Sequence, residues 1–318
     1  MKLSFGVQIE PQFGFTKEKI DKIAVMCENA NFDTIWVSDH MFLNDESVDV
    51  PAFDAWTLMT YLLTKYTTLK VGSLVLCNSY RTPSILAKMI TTLDHLSNGR
   101  YICGYGAGWK EMEYQAYGIR FHPLKIRIEQ MIEGIEVLRA MWKEEAKISY
   151  SGKYYTLKDA LCFPKPLTKP RPTIWIGSNK GGKKMIRTAA KYGDGFNLAW
   201  SFSSSHCKTI FNYLDEQAIK FNRNPKEIAR SVGFWVRLYK DDDEKQNLFQ
   251  EEAAKRNISI EEYSKRVEGA LLGTKAEIIE QLREYLELEV SHFIFMFPFD
   301  KEVKYMTEFS KNILPELQ

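Results

Sequence analysis

Short apolar stretches alternate with longer stretches of helical periodicity along almost the whole chain. Leu3–Ile9 is apolar and rich in β-branched residues, which predicts a strand. Thr16 then opens a helix that runs to about Asn31. TIWVS at 34–38 predicts a second strand, Phe53–Tyr66 a helix, and Leu69–Leu76 a third, nearly continuous apolar strand. Pro83 suits the first turn of a helix ending near His95. Asn98-Gly99 marks a turn before a fourth strand at Arg100–Tyr105.

The spacing then changes. Residues 106–123 read as a loop of glycines, aromatics and acids. In Leu124–Trp142, Ile128, Ile132, Ile135 and Leu138 recur at helical spacing. Residues 147–157 read as a hairpin outside the main pattern, and a proline-rich passage (164–172) leads to a fifth strand at Thr173–Gly177. Helices at Lys180–Tyr192 and Ser203–Phe221 flank a sixth strand, Gly195–Ala199, and Ser231–Tyr239 is the seventh. The charged stretch 241–271 reads as a helical insertion. Thr274 and Glu277 form a capping-box pattern for the next helix, His292–Phe297 is the eighth strand, and a helix at 303–313 follows. Eight strands interleaved with helices predict an α/β fold of the (β/α)8 TIM-barrel type. The whole of 1–318 is expected to be one barrel domain with insertions near 106–123, 147–172 and 241–271. An open doubly wound sheet is the competitor, but no GxGxxG lies between the first strand and helix.

Composition narrows the function classes. The 43 basic and 41 acidic residues nearly cancel, so no basic field for nucleic acid is expected. The lysines at 180, 183 and 184 read as a solvated helix start. Five cysteines without a CxxC argue against a disulfide framework or a cysteine zinc site. The N-terminus reaches charge and glycine too early for a signal peptide, and FIFMF at 293–297 is too short to span a bilayer. A cytoplasmic protein with no membrane partner is therefore the expectation. HExxH, GxSxG and Walker A motifs are absent from the sequence.

Barrel chemistry sits where strands run out into their following loops. After strand two, His40 stands beside Asp39. An imidazole can give or take a proton near neutrality, and the acid can orient it, bind a cofactor nitrogen or cap a turn. A structural Asp-His turn pair is the alternative. After strand four, Gly106-Ala107-Gly108 allow either close backbone approach or a tight turn, and Trp109 either stacks on a ring or packs in the core. Glu111 and Glu113 read as solvent-facing, or one of them serves a substrate proton. After strand five, Gly177-Ser178-Asn179 precede a helix start, where free N–H groups suit a phosphate, with a flexible turn as the alternative. Arg81 is placed to meet a phosphate or carboxylate, or to brace its loop; His95 reads as structural, and His122 as a weak border of the pocket. His206 and His292 have no partner at metal spacing, and no metal site is expected.

Several stretches carry a family resemblance: TIWVSDH (34–40), VGSLVLCNSYRTPSILAKMITTLDHLSNGR (71–100), YGAGWKEMEYQAYGIRF (105–121), PTIWIGSNKGGKKMIRTAAKYGDGFN (172–197) and LLGTKAEIIEQL (271–282). In combination and order they resemble the bacterial luciferase-like family, in its coenzyme F420-dependent oxidoreductase branch. The resemblance implies a (β/α)8 barrel with insertions and a cofactor ring at its C-terminal mouth. It implies a non-proline cis peptide at Ser73-Leu74 behind that ring. Asp39 would lie near the ring heteroatoms, and His40 would exchange the proton. Gly177 and Ser178, followed by Asn179, would cradle the cofactor phosphate, while Asn78, Gly106, Ala107 and Gly108 would line ring and tail. Trp109 stands where the sugar-phosphate dehydrogenase members carry an acid, which argues against sugar-phosphate oxidation and gives it a role in shaping the substrate side. The implied activity is hydride transfer between F420 and an unidentified small organic substrate, by a homodimer. The alternative is an FMN-dependent monooxygenase using reduced flavin and oxygen. A barrel that has lost catalysis and only carries a cofactor is a third reading.

Overall fold

The computed structural model describes residues 3–317. Eight strands run in parallel: β1 (Ser4–Ile9), β2 (Thr34–Val37), β3 (Lys70–Ser73), β4 (Tyr101–Gly106), β5 (Ile174–Ser178), β6 (Gly195–Leu198), β7 (Ala229–Leu238) and β8 (Val290–Met296). They pair in chain order, and β8 returns to β1 with Phe5 opposite Phe293, so the sheet closes into the expected barrel. Two short segments extend it. Leu76–Cys77 continues β3 alongside β4, and Leu271–Gly273 adds to the outer end of β7.

Residues alternate between two cores because side chains on a strand point to opposite faces. Outward residues such as Val7, Ile35, Val71, Ile176, Val232 and Phe295 are buried against the helices. Inward residues build a small second cluster around Trp36, Ile102, Trp175 and Ile294. Two indoles fit inside so narrow a barrel because their neighbours lack side chains. A Cβ on Gly6 would stand 2.7 Å from the Trp36 ring, and one on Gly195 would stand 2.5 Å from Trp175. His292 lies between these indoles and accepts the Trp36 Nε1–H at 3.0 Å.

The helix starts follow the sequence signals. Thr16 accepts the Lys19 amide, Asp54 the Thr57 amide, and Thr274 and Glu277 form the capping box in full. Pro83 opens the helix Pro83–Ser97, which ends two residues later than expected on a left-handed Asn98.

Several expectations need correction. The stretch 106–123 is not all loop: Glu111–Ala116 is a short helix. The side hairpin, Ile148–Ser151 with Thr156–Ala160, extends to Ala160. The insertion after β7 is two helices, Asp242–Lys255 and Ile260–Arg266. The non-proline cis peptide lies at Leu74-Val75 rather than Ser73-Leu74, and a second joins Ala199 to Trp200. The shift has a simple cause. Ser73 is still in register with Val37, and the Leu74 amide still donates to the Val37 carbonyl at 2.8 Å. The first peptide free of the ladder therefore follows Leu74. No helix among the described residues is long and apolar enough to cross a membrane.

Candidate active site

The loop after β2 brings His40 over the mouth of the barrel, within 3.1 Å of both carboxylate oxygens of Glu113 through Nδ1. Glu113 comes from the short helix that breaks the 106–123 stretch, and its side chain is 0% exposed. The solvent-facing reading of Glu113 is thus overturned. Burial pushes its pKa up, but the His40 ring, the Tyr80 hydroxyl and the Met41 amide outweigh that and bring it down to about 2. The Lys110 ammonium adds a contact at 3.3 Å and also holds the carbonyls of Phe42 and Leu43. An ionised carboxylate only accepts, so His40 Nδ1 is the donor, and Nε2 is the ring nitrogen left free of Glu113. Nε2 has no hydrogen-bond partner among the described residues. Trp109 presses on the same ring edge-on, with centroids 5.5 Å apart, while staying largely exposed itself. His40, Glu113, Tyr80 and Trp109 therefore form one assembly from three loops.

Asp39 faces the other way from its neighbour. Its carboxylate takes two hydrogen bonds from Arg81, at 2.8 and 3.0 Å, and one from the Cys77 amide at 2.9 Å. Among the readings open for Arg81, the structure selects carboxylate binding that braces the loop. Asp39 thereby ties the exits of β2 and β3 together. Burial drives the Cys77 thiol up to about 11, so it stays protonated beside the Tyr114 hydroxyl.

The glycines at the C-terminal ends of β4 and β5 face a side chain of this protein. A Cβ on Gly106 or Gly177 would approach Val75 to 2.6 Å, so these two glycines make room for Val75 behind the mouth. Ser73 supports the same region by donating to the Gly104 carbonyl at 2.8 Å. Leu74 packs on the inner tryptophan cluster. Gly108 adopts a left-handed φ of 73° with Tyr114 and Cys77 where a side chain would be, and its carbonyl takes Arg127. Ala107 is buried alongside. Asn78 is spent on two tyrosines: it accepts from Tyr105 at 2.6 Å and donates to Tyr155 at 3.0 Å. Tyr155 sits at the tip of the side hairpin, whose backbone amides at 153–155 converge on the buried Glu133 carboxylate. The hairpin is therefore docked against the site. Ser178 Oγ accepts the Gly181 amide at 3.0 Å, and Asn179, Lys180 and Gly182 are exposed. The space where a Gly182 side chain would be is open, and the helix Lys183–Tyr192 starts there. His95 donates through Nε2–H to the Lys165 carbonyl at 2.8 Å, as a structural residue does.

Two polar residues of β1 and its exit escaped the sequence reading. Gln8 and Glu10 are 3% and 6% exposed, and Glu10 takes both the Gln8 and Gln12 amides. Gln12 in turn accepts from Ser38, which precedes Asp39. The available signal was polarity at alternate positions of an apolar strand, which marks the inward face. Gln8 Oε1 and Asn197 Oδ1 are buried without hydrogen-bond partners among the described residues. Among the described residues no group of His, Cys, Asp or Glu is arranged for a metal ion.

The chain is similar to several known oxidoreductases. It is 25% identical to an F420-dependent glucose-6-phosphate dehydrogenase of Amycolatopsis mediterranei, covering 100% of this chain and 99% of that one. It is 29% identical, over 61% of its own length and 52% of the relative, to a 5,10-methylenetetrahydromethanopterin reductase of Archaeoglobus fulgidus. Its fold superposes with a TM-score of 0.83 on an F420-dependent secondary alcohol dehydrogenase solved with an F420-acetone adduct, at 19% identity and full coverage of both chains. Residues 5–292 match the family described as luciferase-like monooxygenase, and the chain belongs to that family.

Proposed function

We propose that this barrel is an F420-dependent oxidoreductase that moves a hydride between the deazaflavin and a small organic substrate. The observation that carries the reading is His40, with Nδ1 held by a buried, ionised Glu113 and Nε2 open at the mouth. The F420-dependent dehydrogenases similar to it along its whole length support the cofactor. The residues present fit such a group. Asn197 Oδ1, a buried acceptor with no hydrogen-bond partner among the described residues, would receive a ring N–H, and the 177–182 loop, open at Gly182, would offer amides to a phosphate. When bound, the deazaflavin supplies the hydride chemistry. His40 Nε2 takes a proton from a substrate hydroxyl in the oxidising direction and returns it to the oxygen in the reducing one. Glu113 fixes the tautomer and stabilises the imidazolium, as the acid behind a working histidine does. Trp109 narrows access for water beside the ring. Asp39 holds the floor of the site through Arg81 and Cys77. Gly106 and Gly177, with Ser73 and Leu74, make room for Val75, which would support the cofactor ring, and Ala107, Gly108 and Asn78 would line it. Residues 1–318 act as one domain, with the insertions around the mouth.

Titration of the purified protein with F420 and, separately, with FMN tests this through ring fluorescence. Tight F420 binding with weak FMN binding is expected. Tight FMN binding with negligible F420 binding would overturn the reading in favour of a flavin monooxygenase.

A further inference from the structure

A cleft of about 520 Å³ lies beside the mouth, between the exits of β1, β7 and β8 and the two insertion helices. Its walls are unusually apolar for a surface: Phe13, Trp235 and Phe299 are 37%, 41% and 42% exposed there. Exposed aromatics that line a concave cleft mark a ligand site more often than idle surface.

The polar groups of the cleft are sorted by charge. On the barrel side lie Gln8 and Glu10, with Glu302 neutralised by Lys19 at 3.2 Å. Glu10 fixes the orientation of Gln8: the amide nitrogen points to its carboxylate at 2.8 Å, because the reverse flip would set oxygen against oxygen. That leaves Gln8 Oε1 as a buried acceptor without a partner among the described residues, which is costly unless a donor arrives. On the insertion side lie three arginines. Arg256 is paired with Glu252 and Arg266 with Glu262. Arg237 makes no ion pair among the described residues and donates only to its neighbour's carbonyl, at 2.9 Å. The hydrogen-bonded chain Gln8–Glu10–Gln12–Ser38 leads from the cleft to the loop that carries His40.

We propose that this cleft is the substrate subsite and that it selects an organic anion: a carboxylate or phosphate ester on a flat apolar body. The anion pairs with Arg237, the body lies between Trp235 and Phe299, and a hydroxyl or amino group at the inner end donates to Gln8 Oε1. This assignment rests on reading the barrel mouth as the reaction site. It gives the third insertion a function, because Arg237 and the helices at 242–266 form the outer wall that the bare barrel lacks.

The test uses three fluorescent probes on the full-length protein: 6-hydroxy-2-naphthoate, 6-hydroxy-2-naphthyl phosphate and the neutral 2-naphthol. Saturable binding of at least one anion, tighter than 2-naphthol, is expected, and which anion wins separates the carboxylate source from the phosphate source. Arg237→Gln should weaken the anion by about tenfold or more and leave 2-naphthol unchanged, whereas Arg237→Lys should restore part of the loss. Gln8→Leu should weaken the hydroxylated anion more than plain 2-naphthoate. Equal affinity of wild type and Arg237→Gln for the anions, or no preference for anions over 2-naphthol, overturns the proposal. F420 titrations of the same preparations separate the two readings. Lost anion discrimination with F420 binding intact rejects the subsite alone, and anion discrimination without F420 binding rejects the cofactor alone.

Discussion

His40 stands where β2 runs out into its loop, and His292 stands in β8 at the opposite end of the barrel, between Trp36 and Trp175. Both point inward, yet their surroundings differ in every term that matters. His40 is part-exposed and has a carboxylate on one ring nitrogen and open space at the other. His292 is fully desolvated, and an indole that can only donate occupies its Nε2. Burial drives its pKa down from 6.5 to about 3, with a small further push from Lys70. In the function proposed, the first arrangement serves proton transfer, while the second fills space. Position along the strand decides which, because the C-terminal mouth is wet and polar while the N-terminal end is sealed by side chains.

Removing the working ring should give the largest effect. His40→Ala is expected to lower turnover by about 10²–10⁴-fold while F420 affinity stays within about twofold of wild type. Steady-state rates with the substrate found from the anion screen, together with F420 titration, check this. A parallel collapse of cofactor binding would mean that His40 is only part of the floor. Glu113→Gln comes next. It loses the ionised acceptor that sets the tautomer, and turnover should fall roughly tenfold to a hundredfold with the fold intact. Rates equal to wild type would reduce Glu113 to a loop brace.

His292→Gln should leave turnover unchanged and alter only the response to acid. The unfolded chain protonates this imidazole below about 6.5, while the folded one resists until about 3. Stability linked to the neutral ring is present above 6.5 and drains away as pH falls through that window. Glu113 contributes with the same sign but lower, between 4.5 and about 2, so pH 7 to 5 isolates the histidine. Urea unfolding should show wild type losing about 2 kcal/mol more than His292→Gln over that interval. Identical slopes would show that His292 is not held neutral.

Much of the fold was legible because it rests on local rules. Periodicity marked all eight strands, and Thr16, Pro83 and Thr274 stand at helix starts as their residue types predict. The site was legible in part. His40 and Trp109 were recognisable from their place after strands two and four. Glu113 was harder, since a helix of six residues in a glycine-rich stretch leaves little periodic signal. Gly106 and Gly177 signalled close approach, but sequence alone did not reveal that Val75 is what approaches.

The sequence by itself determined the order of elements, their barrel class, and the loops that must carry the chemistry, because alternation, capping and turn residues act over a few neighbours. Tertiary structure alone decided partnership. It brought His40 to Glu113 across 73 positions and spent Asp39 on Arg81 across 42. It buried His292 beside a tryptophan 256 positions away and left Arg237, at the edge of the cleft, without a carboxylate partner among the described residues. A side chain's charge state and reach depend on what closure of the barrel sets against it, and that is a long-range property that no local pattern encodes.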